Sequence, residues 1–316
     1  MKGSRWRLAH GFTGAMFTAC PSCALCCTPP PAPHRPLLHD AGGTLTVALR
    51  FVALASTTGA LGAWVFGRFV VGRLPTATTD RQRHSLMHFS VRVAIWCSAV
   101  LMLAALIGLL RSPRSLALAA QAGAAAATGA ALLFAPRRRE WPVIAEYCVA
   151  ALAVIPAFLG HAVASQELRA VSLLVDVAHV AAAGAWVGAL GLLTVTALRE
   201  RQTVHGPALT AGLIVAFHPV AMVAAGTVFV TGLATAWLRM GAPVGIASSS
   251  YSGLFVAKLL LVGVTGALGA GHSKLATRRT LVVDMASLSR TLLAESLLAV
   301  FVLVVTAVLV GTPPIG

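Results

Sequence analysis

Asp176 and His179 stand three residues apart in LLVDVAHVAAAGAW (Leu173–Trp186), a run that is otherwise apolar. On a helix, residues three apart share a face, about 5–6 Å apart at Cβ, so carboxylate and imidazole point the same way. Two kinds of chemistry fit. Asp176 can receive the imidazole N–H and turn the other ring nitrogen outward, an arrangement commonly found behind metal-binding histidines. Alternatively, the pair closes hydrogen bonds between packed helices, with Lys258 as countercharge to Asp176. His161, in FLGHAVASQ, can converge with His179 from the end of the preceding apolar run, and two imidazoles with a carboxylate suit Cu(II). An exposed loop histidine is the plain alternative. His218 and Met222, four apart in FHPVAM, put an imidazole and a thioether on one face, and both ligate Cu(I). Methionine also serves as packing material. Pro219 between them removes a backbone hydrogen bond and can bend the helix, as transporters do near the midplane. His272, in GAGHSKL, reads as an interfacial cap or a point on an exit path.

These residues need elements to hold them, and composition says what kind. Of 316 residues, 58% are hydrophobic and 10% charged, with mean hydropathy +0.85; a soluble domain has about 25% charged residues. Runs of about 20 apolar residues, enough to cross a hydrocarbon core, recur along the chain. The expectation is an all-α polytopic transmembrane bundle with eight spans, near 45–66, 86–110, 116–135, 142–160, 172–197, 210–237, 253–272 and 291–311. Each ionisable group inside a span costs about 2.5–3.5 kcal/mol on insertion scales and therefore calls for a partner, a cavity or a function. Arg50 lies near a span end and can snorkel; Arg92 can do so too, or pair with Glu146 or Glu295. The spacing of small residues in GAWVG (Gly184–Gly188) permits close helix approach just beyond His179.

The formal charge of +15 is spread over span ends rather than gathered on one face, so no nucleic-acid partner is expected. Thirteen loop Arg and Lys residues follow the odd-numbered spans (Arg68, Arg73, Arg81, Arg83, Arg137, Arg138, Arg139, Arg199, Arg201, Lys274, Arg278, Arg279, Arg290). Four follow the even-numbered ones (Arg111, Arg114, Arg169, Arg239). That asymmetry places the first set in the cytoplasm and both termini outside. Lys2, Arg5, Arg7 and Arg35 in the tail argue the other way unless a leader is cleaved. In CPSCALCC, Cys20, Cys23, Cys26 and Cys27 either offer thiolates to copper or zinc or belong to a targeting segment. Cys97 and Cys148 stand alone within spans as small apolar fillers. A phosphate-binding glycine loop, an H-E-x-x-H pair and a nucleophile elbow are all missing, so the chain is not expected to be an enzyme.

Five segments in series carry a resemblance: GHA (Gly160–Ala162), LLVDVAHVAAAGAWVGALGLL (Leu173–Leu193), VTGLATAWLRMG (Val230–Gly241), YSGLFVAKLLLVG (Tyr251–Gly263) and RTLLAESLLAVFVLVVTAVLVGTPP (Arg290–Pro314). Together they resemble the copper-resistance protein D (CopD/PcoD) family over about residues 158–314. The division expected is a tail at 1–44, four spans at 45–160 and a CopD-like domain at 161–316. The resemblance implies an eight-helix bacterial inner-membrane protein that moves copper ion inward from the periplasmic side, or hands it on, with a periplasmic copper-binding protein as a partner. It also implies that His161, Asp176, His179, Trp186, Lys258 and Glu295 occupy family positions, whereas His218 and His272 stand where Ser and Asn are more usual. Two other classes stay open: a cytochrome-like bundle holding haem between facing histidines, and an accessory factor for copper-enzyme assembly.

Overall fold

The computed structural model describes residues 41–74, 78–134, 141–159, 169–240, 250–277 and 285–310. Every regular element among them is helical, as the apolar runs require. The helices are α1 (Ala41–Val65), α2 (Asp80–Arg111), α3 (Leu116–Phe134), α4 (Trp141–Leu159), α5 (Arg169–Ala183), α6 (Ala189–Glu200), α7 (Gly206–Met240), α8 (Ser250–Thr277) and α9 (Met285–Leu309). A π turn at Gly184–Gly188 joins α5 to α6, so the two form one rod, and a second at Phe66–Val70 extends α1. The outcome is eight rods. Six are long and apolar enough to cross a membrane, and Val143–Phe158 and Gly253–Gly269 are shorter apolar helices. Large side chains such as Trp96 and Val223 are 71% and 72% exposed. In a multi-pass membrane protein, acyl chains cover such residues.

Local chemistry sets the helix ends. Thr79 caps α2, its hydroxyl accepting the Gln82 backbone N–H while the Gln82 side chain accepts the Thr79 N–H. Ser115 accepts the Leu118 N–H at the start of α3. Inside the spans, hydroxyls bond to their own helix: Ser98 donates to Ala94 O, Thr128 to Ala124 O and Thr196 to Leu192 O. No polar hydrogen is left facing hydrocarbon at these positions.

α1 packs against α2, α4, α6 and α9, and its main core side chains are Phe66, Val70 and Val71 with Leu190, Leu193 and Leu213. Around it the rods follow in order, α2 on α3, α3 on α4, α5 on α7 and α8 on α9. Arg199 at the end of α6 lies 4.6 Å over the Phe89 ring of α2. That contact, with the Arg83 guanidinium donating to Leu74 O beyond α1, brings the arginine-bearing ends of α1 and α6 and the start of α2 to one end of the bundle.

Glu146 on α4 pairs with Arg68 at 3.6 Å, and both are exposed. Of the two acids open to Arg92, Glu146 meets Arg68 instead, brought to it by the α1 extension, and Arg92 is exposed on α2. α7 stays helical through Pro219, whose ring lies on an exposed face. A proline therefore does not break the rod here.

Candidate functional site

α6, α7, α8, α9 and the π turn enclose a half-open cleft of about 60 Å³. Its polar lining is Trp186 from the π turn, His218 and Met222 from α7, and Glu295 from α9. Gly266 and Gly269 form the α8 wall, and Leu190, Leu193 and Phe217 supply apolar surface. A four-residue spacing predicted that His218 and Met222 share a face, and both do face this cleft. Glu295 joins them from another helix. Its side chain is 2% exposed, and a Cβ on Gly269 would lie 2.9 Å from its Oε1. Gly269 therefore leaves the carboxylate its room. Met222, 60% exposed, stands at the mouth, and His218 is half-buried further along.

Imidazole, thioether and carboxylate make a mixed donor set: the sulfur favours Cu(I), and the nitrogen and oxygen tolerate Cu(II). Among the described residues, no group of three or more His, Cys, Asp and Glu is placed to hold a metal ion. Any three-donor site in the cleft must use the Met222 sulfur.

The pair on α5 faces α7. His179 Nδ1 lies 3.0 Å from Thr231 Oγ1, and Thr235 Oγ1 donates to Asp176 Oδ1 at 3.3 Å. The Thr231 hydroxyl donates to the Thr227 carbonyl, so its oxygen accepts from the His179 Nδ1–H. Neutral His179 then carries its lone pair on Nε2. α7 thus packs one hydroxyl against each of the two polar positions, Thr231 on His179 and Thr235 on Asp176. Spacing alone could show that Asp176 and His179 share a face; it could not show that threonines four apart on another helix would meet them.

His179 and His218 lie far apart. Thr231 is thirteen residues beyond His218 on α7, which at about 1.5 Å per residue is about 20 Å along the axis. One ion with metal–nitrogen bonds of about 2 Å cannot take both, and haem held between these two is ruled out for the same reason. Lys258 is half-buried on α8. His161, Cys20, Cys23, Cys26 and Cys27 lie outside the described residues, as does the side chain of His272.

The close approach expected at GAWVG is present, and its partner is α1. A Cβ on Gly188 would lie 2.0 Å from Thr58 O, one on Gly62 2.2 Å from Gly188 C, and one on Gly184 2.5 Å from Leu61 Cβ. With backbone against backbone, only glycine fits at Gly62 and Gly188. This crossing fixes the π turn and thereby Trp186, whose ring is buried at the cleft. Beside it, Thr194 on α6 reaches Ser296 on α9 at 2.7 Å, one residue from Glu295.

Residues 211–309 match the CopD family, described as copper resistance protein D. The segment contains His218, Met222, Lys258 and Glu295. Copper transport protein CutJ of Bacillus subtilis (strain 168) is 31% identical over 172 residues, covering 51% of this chain and 29% of the relative. The chain thus matches less than a third of that relative's length. No solved structure matches the chain.

Proposed function

With residues 211–309 matching copper resistance protein D as the premise, we propose that this chain conducts copper ion across a bacterial plasma membrane from the outer side toward the cytoplasm. The observation that carries the proposal is the cleft, which gathers His218, Met222 and Glu295 inside the matched segment. Its three donors differ in hardness and it is open on one side, which suits an ion that must bind and leave. In this reading His179 and Asp176 form the outer station, held by Thr231 and Thr235, and the cleft is the next one inward. The orientation rests on the thirteen-to-four bias of loop Arg and Lys, which puts both termini outside. Copper is cargo rather than a resident cofactor, the chain catalyses no bond chemistry, and a periplasmic copper-binding protein supplies the ion.

The test is copper uptake by proteoliposomes that contain only this protein. Wild type should take up copper. His218→Ala and Glu295→Gln should each slow uptake by about tenfold, equivalent to about 1.4 kcal/mol at the rate-limiting site. His179→Ala should abolish it with insertion intact. Uptake unchanged in His218→Ala removes the cleft from the route. A wild type that moves no copper favours an accessory role in copper-enzyme assembly.

A further inference from the structure

His84 and His88 lie one turn apart near the start of α2, and both side chains are exposed. Their Nε2 atoms are 3.1 Å apart, while their ring centroids are 4.3 Å apart at an interplanar angle of 69°. The nitrogens are closer than the ring centres, so the two Nε2 edges point at one another. If each nitrogen sits about 2.0–2.1 Å from a shared ion, a 3.1 Å separation sets a nitrogen–metal–nitrogen angle of about 95–102°. That falls between the square-planar value of about 90° and the tetrahedral value of about 109°. The separation of the two nitrogens is therefore compatible with chelation by both rings.

Other features of α2 support this arrangement. The capping box at Thr79 and Gln82 stiffens the turn just before His84, and the Arg83 guanidinium donates to Leu74 O at 2.9 Å, fixing the helix against the chain that enters it. Phe89, next to His88, is held under Arg199. The pair therefore stands on a fixed helix end rather than a loop. A ring nitrogen that carries no proton offers a lone pair, so the pair can present two imidazole donors to one ion.

We propose that His84 and His88 form a second metal site, a bidentate imidazole chelate for a divalent late first-row ion, with water in the remaining positions. Of these ions Cu(II) binds imidazole most tightly. The site is separate from the cleft and lies at the bundle end that carries the arginine-rich termini of α1 and α6. It stands whether or not the cleft conducts copper.

The experiment is titration of the purified full-length protein in detergent with Cu(II), read by electron paramagnetic resonance and by bound-metal stoichiometry, in a His179→Ala, His218→Ala background that silences both the outer station and the cleft. One Cu(II) should show coupling to two nitrogens. His84→Ala and His88→Ala should each lose that two-nitrogen signal and weaken the corresponding binding by about tenfold or more. His205→Ala, a histidine at the same end but outside the pair, should leave it unchanged. Helicity by circular dichroism should be the same in all variants, because both side chains are exposed. A two-nitrogen signal that survives either α2 substitution, or that never appears, overturns the proposal.

Discussion

Replacing Gly188 by Ala tests whether the π turn positions the cleft. The added Cβ would lie 2.0 Å from Thr58 O and 2.8 Å from Gly62 Cα, both backbone atoms on α1. Ordinary contact begins near 3.4 Å, so the two rods must separate by about 1.4 Å, and no rotamer change can relieve the clash. Overpacking of this kind costs about 1–3 kcal/mol, and the upper end applies because only backbone can yield. Alanine recovers up to about 1 kcal/mol of helix propensity over glycine, which leaves a net loss of about 2 kcal/mol. Gly191, three residues along the same rod, has nothing within 4 Å of its own virtual Cβ. Gly191→Ala should therefore be neutral or slightly stabilising. Reversible unfolding in mixed micelles, followed by tryptophan fluorescence, measures both variants, and Gly188→Ala should also slow copper uptake because Trp186 shifts with the turn. If its stability lies within about 0.5 kcal/mol of Gly191→Ala, the close crossing does not hold the turn and the reasoning fails.

Two further outcomes follow from the polar contacts. Thr231→Val keeps the shape at position 231 but removes the acceptor of the His179 Nδ1–H; leaving that donor unsatisfied should cost about 1–3 kcal/mol in the same unfolding assay. Nitrogen NMR of labelled histidine should show the Nδ1-protonated form lost in that variant, and an unchanged spectrum would contradict the assignment. Arg68→Ala removes an ion pair with Glu146 whose partners are 66% and 45% exposed, and by the same measurement it should change stability by less than about 1 kcal/mol.

The amino-acid sequence by itself determined the architecture. Apolar runs of membrane-crossing length leave the backbone one way to satisfy its polar groups, so eight helical rods follow from hydropathy and Arg-bearing breaks. It also determined which residues share a face, since a three- or four-residue spacing fixes that for Asp176 with His179 and for His218 with Met222. The small residues of GAWVG likewise marked a close crossing in advance. Tertiary packing decided the rest, because partners on different helices leave no local spacing to read. It set Glu295 beside the His218 cleft, paired Glu146 with Arg68, and gave His179 to Thr231. It made Gly62 of α1 the partner of Gly188. The His84 and His88 spacing was visible in the chain, but only side-chain placement brought their nitrogens to 3.1 Å, since an exposed histidine can take several rotamers and just some of them converge.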